Sequence, residues 1–374
     1  MKLRMEREAL VRAVSAVGPC VPSRPPVPTL AGVLLAADAD SVTVSGFDYE
    51  VSARAIVPGA VIHEPGAVLV SGRLLAEIAK ALPAQPVELA DDGTHLQIRC
   101  GQARFTLPVM NTEDYPQLPE LPALCGSVVR TEFADATAQV AVAAGRDDTI
   151  PMLTGVNIEF HRTFLRLVCT DRFRIAVHEL GWTPDEAHAT DGSLLVPARA
   201  LTDAMKTATG ARLDIAAGTG QSILGLRTGG EHHTLRLLDM PYAPYQRYLT
   251  AQPTTVVRLE TAPFVDAIKR VSLLSARGAQ IRLTFTDSTI RLAAGDDSGG
   301  RADEALAADI DGDALTTAFN PRYLLDGLLA ARSPRIEIAM TDPTRAATLR
   351  PADSDSASAG HRRLYILMPV RLPG

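Results

Sequence analysis

One short motif occurs three times in this chain. Ser71-Gly72-Arg73-Leu74-Leu75, Pro197-Ala198-Arg199-Ala200-Leu201 and Asn320-Pro321-Arg322-Tyr323-Leu324 align, with their arginines 126 and then 123 residues apart. Each follows an apolar residue (Val70, Val196, Phe319) and opens a helix-like stretch. A second motif recurs at the offset of 123: Pro28-Thr-Leu-Ala-Gly32-Val33 matches Pro151-Met-Leu-Thr-Gly155-Val156, and Asp48 matches Asp171. A period of 20 to 50 residues marks a solenoid. A period near a third of the chain means three copies of one domain.

The bulk properties agree with that reading. A length of 374 residues is too large for one core and fits two to four domains. Hydrophobic residues at 46% and charged ones at 21% are ordinary for a globular protein. Cys20, Cys100, Cys125 and Cys169 form no CxxC pair and no spacing shared with histidine. They read as reduced, mostly buried thiols of a cytoplasmic protein, not as disulfides or a metal site. The N-terminus, MKLRMEREALVRAV, is too charged for a signal peptide, and no apolar run approaches a membrane span. The net charge of −6 excludes a uniformly nucleic-acid-coating surface but leaves room for a locally basic face.

Each third is expected to start with an amphipathic helix. Leu10, Val11, Val14 and Val17 carry the helical period in the first. Residues 133–144 carry it more weakly in the second, and Phe264, Val265, Ile268, Val271 and Leu274 in the third. Alternating strand segments follow, such as Val51–Ile56 and Ile281–Phe285. A second helix is expected at 71–81, 197–208 and 320–331. Ser71 and Asn320 are good caps, and Pro197 and Pro321 suit a first turn. Further strands close each unit. The layout is α+β, three tandem copies of two helices covering antiparallel sheets. The expected boundaries give domains at 1–121, 122–251 and 252–374, near Pro116–Pro122 and Thr250–Thr255. The extra residues of the second repeat are placed in Gly181–Gly192, a polar loop where insertions cost little. Neighbouring units would pair edge strands, which removes exposed edges.

The repeats, Thr170-Asp-Arg-Phe-Arg174-Ile-Ala-Val177, Arg104-Phe-Thr-Leu-Pro108, Asp114-Tyr-Pro116 and Leu364-Tyr-Ile-Leu-Met-Pro-Val-Arg-Leu372 together resemble one family. It is the bacterial DNA sliding clamp, the beta subunit of DNA polymerase III. The resemblance runs from Met1 to Leu372. The Arg-Phe after Thr-Asp, the terminal Pro373-Gly374 and the Ala- and Arg-rich composition resemble its actinobacterial branch. The resemblance implies a head-to-tail homodimer forming a closed ring around duplex DNA, without catalytic residues, cofactor or metal. It implies tethering of the DNA polymerase III alpha subunit, other polymerases and repair proteins, after loading by a clamp loader. Tethering raises local concentration without adding contacts to bases.

The family's helices line the hole, which places Arg7, Arg12, Arg73, Lys80, Arg199, Lys206, Lys269, Arg270 and Arg322 toward DNA. Arg24 and Arg146, in loops after the first helix of their domains, match rim positions that touch DNA. Phosphate contacts of this kind are independent of sequence and permit sliding. Arg73, Arg199 and Arg322 lie near helix N-termini, where positive charge is mildly unfavourable. Either a use elsewhere or an intradomain salt bridge explains the repeated choice.

The resemblance also implies a pocket for a short hydrophobic peptide motif. Carried over residue by residue, it comprises Leu153, Thr170, Arg172, Phe173, Arg174, Ile175, Arg247, Tyr248, Ile366, Met368, Pro369, Val370 and Arg371. Ala243 and Pro244 belong to the same segment. Met368 would adapt the floor to different partners. Arg174 and Arg247 are expected to hold a glutamine side chain or a carbonyl at the rim. The family has Phe-Pro followed by an aromatic where this chain reads Tyr242-Ala243-Pro244-Tyr245, and a small aliphatic residue where it has Tyr248. A phenol there narrows or covers the pocket. That opens an alternative, a specialised second clamp that tolerates a clamp-directed antibiotic.

An enzyme reading lacks a site. There is no phosphate-binding GxxxxGK[ST] loop, GxSxG elbow or HExxH spacing. His232-His233 lies in a strand-like segment, where neighbours face opposite ways, which argues against a shared metal. Asp147-Asp148 and Asp296-Asp297 read as solvated turns. A protein-binding repeat scaffold is the remaining alternative, and it needs no basic helix face.

Overall fold

The computed structural model describes residues 1–185, 192–218, 222–250, 252–274, 280–296, 300–352 and 362–371. The middle of the Gly181–Gly192 loop, Asp297 and the terminal Pro373-Gly374 lie outside the described residues. Six helices are present among those described: α1 Arg7–Val17, α2 Gly72–Ala81, α3 Arg130–Ala141, α4 Ala198–Thr207, α5 Thr261–Val271 and α6 Pro321–Ala331.

The helices form where periodicity and caps place them. In α1 the buried face is Ala9, Leu10, Ala13, Val14, Ala16 and Val17. The Ser71 hydroxyl accepts from the Leu74 amide to cap α2, and the Asn320 side chain accepts from the Arg322 and Tyr323 amides to cap α6. Pro321 occupies the first turn of α6, but Pro197 ends the preceding strand, Gly192–Pro197, and stands just before α4. Helix α3 begins at Arg130, ahead of the expected 133.

The units do not begin with their helices. A strand precedes each one: Lys2–Met5, Leu124–Val129 and Thr255–Glu260. The first buries Leu3 and Met5 and exposes Lys2 and Arg4, a period of two masked by the charge that follows.

The chain divides into two compact units. The first comprises Met1–Ala134, Trp182–Thr190 and Ala200–Leu237, the second Asp135–Gly181, Asp191–Arg199 and Leu238–Gly374. The first is built on one antiparallel sheet of 14 strands. Within it Glu231–Arg236 pairs with Val51–Val57, joining strands from two different repeats. Helix α1 packs on α2 and on Val42–Phe47 and Val51–Val57. The second unit holds sheets of nine and four strands. There Arg174–Gly181 pairs with Arg363–Leu367, the same junction one repeat later. Helix α5 packs on α6 and on Thr289–Asp296 and Gly300–Ala307.

The repeated motifs share atomic geometry. Asp48 Oδ1 accepts from the Glu50 and Val51 amides, and Asp171 Oδ1 from those of Phe173 and Arg174. Inside these turns Tyr49 and Arg172 have φ of 74° and 77°. Gly32 and Gly155 match as well: a Cβ would stand 2.6 Å from Leu69 Cδ1 in one and 2.5 Å from Leu195 Cδ1 in the other. All four cysteines are buried and form no disulfide among the described residues, and burial pushes the thiols of Cys20 and Cys169 up, away from thiolate chemistry.

Candidate partner pocket and nucleic-acid interface

The expected pocket residues all lie in the second unit, and part of the set converges on one apolar cluster. Val168, Ile175, Val177, Tyr245 and Ile366 are buried together, with Tyr242, Tyr248, Leu249 and Leu364 packed against them. Leu153 and Thr170 are also buried, whereas Phe173 is 54% exposed and Val370 40% exposed. The Met368 amide donates to the Phe173 carbonyl (2.9 Å) and the Val370 amide to that of Ala318 (2.8 Å). These bonds fix the apolar end of the chain beside the Thr170–Arg174 turn.

The segment after Pro241 is anchored by its aromatics. The Tyr242 hydroxyl donates to the Val168 carbonyl at 3.3 Å, and the Tyr245 hydroxyl to Glu159 at 2.7 Å. Arg166 lies between Glu159 (3.1 Å) and Glu179 (2.8 Å) and completes a partly buried charge row across three strands. Burial, then Glu159, push the Tyr245 phenol up, so it stays a donor.

The two arginines differ. Arg174 is 4% exposed. Its Nε binds Asp171 at 2.9 Å, and its Nη1 binds Asp326 of α6 at 2.6 Å and reaches the Tyr365 hydroxyl at 3.2 Å. Its guanidinium lies 4.3 Å from the Tyr323 ring centre. Burial pulls its pKa down, but Tyr365, Asp326 and Asp171 outweigh that, and it ends above the ordinary arginine value. Arg174 therefore ties its strand to α6, and its charge is already engaged. Arg247 is exposed. It folds over its own neighbour, donating to the Tyr248 hydroxyl at 2.8 Å with its guanidinium carbon 4.8 Å from the ring centre. The sequence marks neither Tyr323 nor Tyr365 as a partner of Arg174, and its one signal for Asp326 is an aspartate inside the apolar run of α6.

Sequence models of the DNA polymerase III beta subunit match in three consecutive pieces. The N-terminal domain model covers residues 1–119, the central domain 127–244 and the C-terminal domain 246–367. The chain belongs to the DNA polymerase III beta subunit family.

Relatives of this beta subunit agree over full length. It is 43% identical to the beta sliding clamp of Streptomyces coelicolor, with all of both chains covered. It is 39% identical to the beta sliding clamp homolog GriR of Streptomyces muensis, with 99% of each covered. The crystal structure of the DNA polymerase sliding clamp from Bacillus subtilis superimposes with a TM-score of 0.90 at 26% identity, again over all of both chains.

The basic residues expected to meet DNA divide by environment. Arg12, Arg24, Lys80, Arg146 and Arg322 are exposed and carry no side-chain ion pair or hydrogen bond among the described residues. Arg73 pairs with Glu77 (3.0 Å), Lys206 with the half-buried Asp203 (2.8 Å) and Lys269 with Asp266 (3.4 Å), each pair within its own helix and its cation exposed. Such pairs are worth only about 0.3–0.5 kcal/mol and exchange readily for another anion. Arg270 grips Glu304 with two bonds (2.6 and 3.0 Å). Arg7 donates to the Lys80 carbonyl (2.7 Å), closing the end of α2. Arg199 is exposed in the first turn of α4. The arginine of the repeated motif thus stands exposed in the first turn of α2, α4 and α6 alike.

Proposed function

We propose that two copies of this chain close into a ring around duplex DNA and tether a polymerase and other DNA-processing proteins. The chain acts as a processivity factor with no reaction of its own. The observation that carries this reading is the full-length, three-domain family match, together with the exposed helix cations Arg12, Lys80 and Arg322, which make no side-chain ion pair or hydrogen bond among the described residues. An exposed arginine is kept at a helix N-terminus three times, against the local dipole, and backbone phosphates are the anions such a set fits. The match of 43% to a protein named as a beta sliding clamp favours a general clamp over a specialised second copy. We place the domains at 1–121, 122–251 and 252–374.

Two open sheet edges support the homodimer. Strand Gly300–Ala307 ends the four-stranded sheet, beside Leu273 (83% exposed) and Leu274 (42%). Strand Ala103–Met110 pairs on one side with His95–Cys100, while its other side is bonded only at Val109 and Met110 and presents Phe105 (37% exposed). An edge with exposed apolar residues is a template for a second chain. Two different surfaces meeting head to tail make a ring when the rotation closes.

The apolar cluster around Ile175 and Ile366 is proposed as the seat of a hydrophobic partner peptide, with Leu153, Met368, Pro369 and Val370 beside it. Thr170, Arg172, Phe173, Ala243, Pro244 and Arg371 form its surroundings. Arg247 supplies the free cation once it leaves Tyr248, while Arg174 holds the floor. Primer extension on a primed single-stranded circle, with a matched polymerase, loader and ATP, tests the function. Product length should rise when this chain is added, and unchanged length would contradict the reading.

A further inference from the structure

A cavity of about 620 Å³ lies within the first unit, under the segment that follows Tyr115. Its floor is Ser52, Arg54, His232 and Thr234, and Tyr115, Leu118 and Leu121 stand in its wall. Cavities of 300–1,000 Å³ hold small ligands or a few residues of peptide. The ring reading does not assign this one.

Its position follows from the repeat. Ser52 and Arg54 face Thr234 and His232 across one strand pair. One repeat later, at the offset of 123, Ile175 and Val177 face Ile366 and Leu364 in the same way. Tyr115 anchors the segment in one, packed with Phe47 and Leu69, and Tyr245 does so in the other. Four polar floor residues stand at the positions that match four apolar ones in the other strand pair. The two sites thus share a frame but select opposite chemistry.

The polar floor has definite capacities. The Ser52 and Thr234 hydroxyls are buried and 2.6 Å apart. One donates to the other, which leaves a single O–H free to donate. Arg54 is exposed and makes no ion pair or side-chain hydrogen bond among the described residues. Burial, then Arg227 and Arg54, hold His232 below the ordinary histidine pKa, so the ring is neutral at pH 7. Arg54 is therefore the one cation of the lining. Glu120 is its one carboxylate and lies exposed in the wall.

The wall also offers main chain. Residues 116–122 form no helix or strand and make no main-chain hydrogen bond with other described residues. Three of them, Pro116, Pro119 and Pro122, have no N–H, so the segment cannot join a sheet continuously. The N–H and C=O groups of Gln117, Leu118 and Glu120 remain to pair with an extended chain laid beside them.

We propose that this cavity binds an extended peptide segment whose acidic side chain meets Arg54 while aliphatic neighbours pack on Leu118 and Leu121. Glu120 accepts from the peptide's N–H groups.

The test uses the full chain with labelled leucine methyls and the probe acetyl-Ala-Leu-Asp-Leu-Ala-amide. The Leu118 and Leu121 signals should shift and saturate. The asparagine version of the probe, and the Arg54→Gln chain with the original probe, should each bind about tenfold more weakly, as loss of a charge-assisted hydrogen bond implies. No shift at Leu118 and Leu121, equal affinity for the two probes or the two chains, or acetate binding as well as the peptide would each overturn the proposal.

Discussion

Arg174 and Asp326, 152 positions apart in the chain, are joined by a 2.6 Å ion pair between a strand and α6. The arginine is almost wholly buried and the aspartate is 31% exposed. Removing one partner of a buried pair leaves an uncompensated charge, and the partial exposure of Asp326 reduces that cost. Arg174→Ala should destabilise the second unit by about 3 kcal/mol and Asp326→Ala by about 2 kcal/mol. In a double-mutant cycle by chemical denaturation the two should not add, with a coupling near 1–2 kcal/mol. Full additivity would show that the pair does not link the strand to the helix.

Tyr248 holds Arg247 by a hydrogen bond and by ring contact. Tyr248→Leu removes both, worth about 1–2 kcal/mol together, and frees the guanidinium for a ligand. A hydrophobic peptide carrying a glutamine and two aliphatic residues should then bind about tenfold more tightly by calorimetry. Equal affinities for the two chains would remove Tyr248 as a cover of the pocket.

His233 is buried, neither ring nitrogen is hydrogen-bonded among the described residues, and burial, helped by His232, pushes its pKa down to about 4. The folded state therefore keeps this ring neutral while the unfolded chain protonates it below its ordinary value of 6.5. The sign is a loss of stability as pH falls from 6.5 to 4, amounting to about 3 kcal/mol, with no effect above 6.5. Denaturant unfolding of the first unit at stepped pH should show this slope, and His233→Asn should flatten it. An unchanged slope in the variant would assign the acid sensitivity elsewhere.

The unpaired cations should dominate contact with phosphates. Replacing Arg12, Arg24, Lys80, Arg146 or Arg322 by Gln should each lower the salt slope of DNA binding by up to about 1. Lys269→Gln should do less, because Asp266 already competes for that charge. Titrations of duplex binding against salt read this directly, and equal effects at all six positions would contradict the division.

Local pattern carried much of the fold. The offset of 123 places Asp48 and Asp171, Tyr49 and Arg172, and Gly32 and Gly155 in matching geometry, because turns and close approaches are set by a few neighbouring residues. The strand before each helix was not legible, since Lys2-Leu-Arg-Met5 is short and runs into a charged helix start. The engagement of Arg174 by Asp326 and of Arg7 by the Lys80 carbonyl was not legible either. Both depend on segments brought together only by folding, and nothing near either arginine in sequence signals the partner. The proposed pocket residues came only as a list implied by the resemblance, and whether each arginine among them is engaged was not legible.

Retention on DNA tests the central claim most directly. The chain is loaded with a matched loader and ATP onto nicked circular plasmid, and the plasmid is then linearised at moderate salt. A ring stays on circles and slides off linear DNA, and Leu273→Glu, placed on the open edge, should leave both. Equal loss of the unaltered chain from circles and linear DNA would contradict topological enclosure.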